Sequence, residues 1–174
     1  DFSTTPEWYK LASITGTTQA VEVSADGNYA WIGTENGRLY RIAGLAAARD
    51  YGTADADSGA TAVTVDLVQN FMGRNISGIA VDPNDNDRVL VTLGNYGNAN
   101  YVYYSGNATS TSPNFLVKDG NLGNFPVYAA TLDKGNSAYA VLGTEYGIFS
   151  TQNINTTSPQ WGADNSGLAR VPVF

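Results

Sequence analysis

One short pattern returns three times along this chain, and it limits the possible folds more than any other feature. The copies read Val21-Glu-Val-Ser-Ala-Asp-Gly27 with Trp31-Ile-Gly-Thr-Glu-Asn-Gly37, Ile79-Ala-Val-Asp-Pro-Asn-Asp85 with Val91-Thr-Leu-Gly-Asn-Tyr-Gly97, and Ala130-Thr-Leu-Asp-Lys-Gly135 with Val141-Leu-Gly-Thr-Glu-Tyr-Gly147. Each is a small apolar strand, a polar turn, a second apolar strand and a glycine-bounded turn. Repetition at roughly 50 residues with β-type segments in every copy is how propeller blades look in sequence. One such sheet cannot bury both of its faces, so the copies must stack on one another.

Each copy expands to four strands. Period-two alternation and turn residues place them at Ala20–Ser24, Tyr29–Gly33, Leu39–Ile42 and Ala62–Phe71 in the first copy. The second gives Ile76–Val81, Val89–Leu93, Tyr101–Ser105 and Asn114–Lys118, the third Val127–Leu132, Ala138–Leu142, Gly147–Thr151 and Gln160–Ala163. Gly16, Gly73, Gly123 and Gly167 precede the innermost strands, about 57, 50 and 44 residues apart. A positive φ is useful there, where the chain turns from rim to axis. The fold class expected is all-β: about three four-stranded antiparallel blades of a larger propeller. The blades run over 14–71, 72–119 and 120–164, with an outer strand of a preceding blade in 1–13 and the start of a next blade in 165–174. Gly44–Asp50 reads as one helical turn inside a loop, and Tyr51–Gly59 as an exposed, mobile stretch. At the ends, Glu7–Leu11 reads as an outer strand, and Arg170–Phe174 as an inner strand whose apolar faces have no partner in the chain. The two are expected far apart, each covered by further blades of the same protein or by another polypeptide.

Chemistry is narrowed by what the chain lacks. It has no cysteine and no histidine, which excludes disulfides, thiolate or imidazole metal sites, a cysteine nucleophile and a histidine base. A formal net charge of −7 disfavours nucleic acid and anionic membrane as partners. No apolar run approaches the roughly 20 residues that span a bilayer, so no membrane insertion is expected, and no cofactor or metal is called for. No signal peptide is visible at Asp1-Phe-Ser-Thr-Thr-Pro6.

Topology selects the candidate site. In a four-stranded meander, the turn between second and third strands emerges at the same end as the connector between blades. That end gathers Glu35, Asn36, Arg74, Tyr96, Glu145 and Tyr146, a set suited to a polar or saccharide ligand through ring stacking and hydrogen bonds. The plainer reading of Gly-Thr-Glu-x-Gly is a good hairpin turn. Glu35 and Glu145 could serve glycoside hydrolysis only if the ring brought them within about 5–9.5 Å. Asp82-Pro-Asn-Asp-Asn-Asp87 offers oxygen ligands for a hard cation but stands where the other copies have turns, and reads as a turn. Asn75-Ile-Ser77, Asn107-Ala-Thr109 and Asn155-Thr-Thr157 match the N-glycosylation pattern at about the frequency this composition produces by chance.

The run Ile79–Asp85, Val91–Gly97 and Tyr101-Val-Tyr-Tyr-Ser105 resembles the sortilin-like and BNR (Asp-box) propellers of secreted bacterial proteins. Gly143–Ser150, Trp161 and Gly167-Leu-Ala-Arg-Val-Pro-Val173 look similar to large cell-surface proteins of the Bacteroidetes, commonly exported by the type 9 route. The resemblance implies an extracellular or cell-surface location and a non-catalytic binding or scaffold module. A fragment of a propeller glycoside hydrolase or lyase, and a structural subunit of a surface layer or motility assembly, are the alternatives. A complete Asp-box is absent: Ser105-Gly-Asn107 and Asn114-Phe115 hold a comparable place without its Asp and Gly. The arginines share no blade position, which departs from sialidases of the family.

Overall fold

A computed structural model describes residues 10–48, 63–167 and 171–174. The first sheet contains β1 (Thr18–Val23), β2 (Tyr29–Thr34), β3 (Arg38–Ala43) and β4 (Thr64–Asn70). The second contains β5 (Ile76–Asp82), β6 (Asp85–Leu93), β7 (Val102–Ser105) and β8 (Leu116–Val117). The third contains β9 (Val127–Leu132), β10 (Ala140–Thr144), β11 (Gly147–Thr151) and β12 (Gly162–Ala163). In every sheet sequential strands are neighbours and all pairings are antiparallel, so each repeat is one four-stranded meander. Among the described residues a helical turn, α1 (Leu45–Ala48), lies in the β3–β4 connection, as the Ala run suggests. The anticipated mobile loop at 51–59 and most of the Glu7–Leu11 strand lie outside the described residues; Lys10 and Leu11 are not in a strand.

The sheets stack through glycine. A Cβ on Gly33 of β2 would overlap the Ile76 side chain of β5, and one on Gly78 of β5 would sit 3.2 Å from the Ala129 Cα of β9. Such close approach lets neighbouring inner strands converge. In the middle sheet every residue of Val89–Leu93 is buried, because blades cover both of its faces. Each of the four aliphatic side chains among them contributes about 1.5–3 kcal/mol. In the flanking sheets Ile32 and Val141 stay half-buried, and Val21 and Val23 of β1 remain more than half exposed. These open faces mark where further blades fit.

Two expectations need correction. The segment Val171–Phe174 is not without partners: the Val173 amide donates to the Thr144 carbonyl at 3.0 Å, and Val173 backs onto Gly143. The Phe174 ring lies 4.8 Å from that of Tyr128. Pro172-Val-Phe174 thus repeats Pro126-Val-Tyr128 one blade further on. Gly16, Gly73 and Gly167 have positive φ, but Gly123 does not; there a Cβ would crowd the Phe125 ring at 2.8 Å.

The outermost strands β8 and β12 are two residues each, shorter than the alternation suggested, because the preceding loops are fixed by asparagine instead of by strand pairing. Asn107 Oδ1 accepts from the Asn114 amide (2.9 Å), and Asn153 Oδ1 from the Gln160 amide (3.2 Å). In both loops the residue after the asparagine, Ala108 or Ile154, is fully buried. The Asp82–Asp85 segment is a tight turn in which Asp82 Oδ1 accepts from the Asn84 amide at 2.8 Å.

Candidate functional site

Backbone bonds tie each turn between second and third strands to the connector of its own blade. The Glu35 amide donates to Thr17 O (2.9 Å), the Gly94 amide to Asn75 O (3.0 Å) and the Glu145 amide to Pro126 O (3.2 Å). Turns and connectors therefore share one end of the blades. The turns are stiff. Thr34 Oγ1 accepts from the Arg38 amide and Thr144 Oγ1 from the Tyr146 amide, while Gly37 and Gly147 take the left-handed conformation that closes each hairpin.

The sequence-selected residues divide into two groups. Asn36 stays within its turn, accepting from Thr34 Oγ1 at 2.7 Å, and Glu35 accepts from Thr17 Oγ1 at 2.8 Å. Arg74 braces the neighbouring turn: its Nη1 donates to Ala99 O (2.7 Å) and Asn100 O (2.6 Å), and its guanidinium lies 4.7 Å over the Tyr101 ring. These three serve local architecture. Tyr96 and Glu145 are instead drawn to Tyr128, a residue the sequence reading missed, and Tyr146 follows Glu145 in the same turn. Tyr128 sits in β9, not in a turn, and its signal was its place directly after Pro126-Val127 on the innermost strand.

The centre of this group is a carboxylate between phenols. The Tyr128 hydroxyl donates to Glu145 Oε2 at 2.5 Å and lies 3.3 Å from the Tyr96 hydroxyl. The Tyr128 bond, with a second from Tyr96, holds the Glu145 carboxyl below its ordinary pKa. Burial and the bond to Glu145 push the Tyr128 phenol up, and the same carboxylate raises Tyr96. At neutral pH Glu145 is therefore an anion and both phenols keep their protons. The group can accept hydrogen bonds and present ring faces, but Glu145 is not set up to give a proton to a leaving group. Tyr146 stands beside it, edge-on to Phe125 at 5.1 Å.

Replacing Tyr128 by phenylalanine should move the Glu145 carboxyl back toward the ordinary carboxylate range, followed by NMR titration. Because the folded pKa of Glu145 is depressed, its contribution to stability is present above the unfolded pKa and is lost as pH falls through the folded one. The variant should accordingly lose less of its stability on acidification. An unchanged midpoint would assign the shift to Tyr96 instead.

A groove of about 580 Å³ lies elsewhere, between β4 and the loop at 111–113. Its charged lining, Arg41 and Asp66, is already paired at 2.8 Å, and Arg41 is occupied in joining two blades.

No protein-family model matches the sequence, and no curated protein matches it. Solved structures do. The β-propeller domain of Cps50 (Swd1) from Myceliophteria thermophila superposes with a TM-score of 0.60 at 12% identity, over 86% of this chain and 39% of that one. A GH74 enzyme from Niastella koreensis gives 0.55 at 17% identity, over 83% of this chain and 23% of its own. The GH74 xyloglucanase from Xanthomonas campestris gives 0.51 at 21%, over 85% and 20%. The chain thus spans 39% or less of each of these three proteins. At such identities the likeness is one of fold, and it agrees with the stacked four-stranded meanders: the chain is built as three blades of a β-propeller.

Proposed function

We propose that these blades, divided at 14–71, 72–119 and 120–164, belong to a non-catalytic binding or scaffold propeller of a secreted or surface-anchored bacterial protein. The type is sortilin-like or BNR-like, works outside the cell, and needs no cofactor. Its ligand sits on the connector end, at Tyr96, Glu145 and Tyr146 with Tyr128, and Glu35, Asn36 and Arg74 shape the adjoining turns. The observation that carries this reading is the Glu145 carboxylate accepting from the Tyr128 hydroxyl, with the Tyr96 hydroxyl 3.3 Å from that of Tyr128, an arrangement for accepting hydrogen bonds. Further blades, from the same protein or another polypeptide, cover the open faces of the first and third sheets.

A second reading, part of a propeller glycoside hydrolase, draws on the fold likeness to GH74 enzymes. The two separate cleanly. The protein is incubated with soluble polysaccharides and peptides, and both retention and released reducing ends are measured. Retention without release is expected. Release that disappears in Glu145→Gln or Glu35→Gln would establish the hydrolase reading instead.

A further inference from the structure

We infer that the connector-end cluster takes an uncharged, hydroxyl-rich saccharide, which lies on the Tyr96 and Tyr146 rings and gives hydroxyl protons to Glu145. This deepens the binding-module reading and rests on it.

Three observations converge. First, Tyr96 and Tyr146 stand in the turns between second and third strands of successive blades, and both rings are open to solvent, at 66% and 57% exposure. Large rings left outside in neighbouring turns at one end of the blades offer apolar faces with polar tips, the surface that suits a sugar ring with its C–H face and its hydroxyl edge. Second, the rings are held in place: Tyr146 is packed edge-on to Phe125, and the Tyr96 hydroxyl lies 3.3 Å from that of Tyr128. Little side-chain entropy remains to be lost on binding. Third, the polar group between them is an acceptor only. Glu145 Oε2 accepts from the Tyr128 hydroxyl, and the remaining lone pairs of its half-buried carboxylate are available for ligand hydroxyl donors.

Charge then selects among saccharides. An ionised carboxylate at the centre, on a chain of net charge −7, repels uronic, sulfated and sialylated sugars. Arg74, the cation nearest in repeat order, has its Nη1 committed to the carbonyls of Ala99 and Asn100. An aliphatic or peptide partner would use the rings but would leave the carboxylate without donors.

The test is native affinity electrophoresis in gels containing hydroxyethylcellulose, xyloglucan or dextran, and in parallel polygalacturonate or heparin, with a peptide library screened alongside. Retardation by at least one neutral polymer and by neither acidic one is expected. Tyr96→Ala and Tyr146→Ala should each weaken it about tenfold, the effect of losing roughly one aromatic contact. Tyr96→Phe, which keeps the ring, should change it little. Circular dichroism melts of each variant separate lost binding from lost fold. Retardation by acidic polymers alone, or binding that survives both alanine variants, overturns the inference. Peptide binding without saccharide binding overturns it too, while leaving the binding-module reading intact. Polymer cleavage overturns both.

Discussion

Gly120→Ala is expected to lower stability by about 3 kcal/mol or more, and the melting temperature by roughly 10 °C for a chain of this size. Gly120 has φ +52°, where a side chain costs about 1–2 kcal/mol for backbone conformation alone. The larger cost is steric. A Cβ there, where the chain passes from the second blade to the third, would overlap the Pro159 carbonyl oxygen before β12, and neither side can yield easily. Asn121 clamps the neighbouring Trp161, accepting from its amide at 2.6 Å and donating to its carbonyl at 3.1 Å, and the Trp161 indole donates to Lys118 O at 2.9 Å. Gly97→Ala is the control. It also has a positive φ (+76°) but nothing within 4 Å of its added methyl, so it should lose only the backbone cost. Urea unfolding of the two side by side decides the matter. Equal losses would show that the seam between second and third blades is loose.

That seam illustrates what could be read from the residues and what could not. The repeat gave the blades because Gly-x-x-Gly turns and apolar alternation are local signals, and β1–β3, β5–β7 and β9–β11 all fall near their expected places. The rim strands β8 and β12 were overestimated. Phe115 and Trp161 look like strand residues, yet each is buried at the close of a loop organised by Asn107 or Asn153, a contact across seven residues that alternation does not encode. Placement of Glu35, Tyr96 and Glu145 at one end followed from meander topology. Their pairing did not. Glu35 meets Thr17 and Glu145 meets Tyr128, and that difference arises because the inner strand carries a tyrosine only in the third repeat, where the second has Ser77. Arg74 was read as ligand-facing because it sits on a connector; the Asn95–Asn100 turn folding back toward it turned the side chain into a brace.

A second large effect is expected at Arg41, which is buried at the junction of first and second blades. From β3 its Nη1 reaches the carbonyls of Ala108 (2.9 Å) and Ser110 (2.8 Å) in the β7–β8 loop, while Nη2 pairs with Asp66 at 2.8 Å. Lys118 does a similar thing one blade on, donating to Thr156 O, and Ser110 and Thr156 are repeat equivalents, each three residues after the loop asparagine. The two cations should nevertheless differ in weight. Arg41→Met leaves two carbonyls of a partly buried seam without their donor and removes a paired charge, which should cost about 2–4 kcal/mol in urea unfolding. Lys118 satisfies one carbonyl and pays for its burial, which pushes its ammonium below the usual lysine range. Its replacement by methionine removes that desolvation penalty along with the bond, and should fall within about 1 kcal/mol of the parent. Arg41→Lys should recover only part of the loss, since one ammonium cannot span both carbonyls and Asp66 in the planar geometry of a guanidinium. A loss at Lys118 equal to that at Arg41 would mean that bond number at the seam does not set its strength, and that packing against the loops through Ala108 and Ile154 holds the blades together instead.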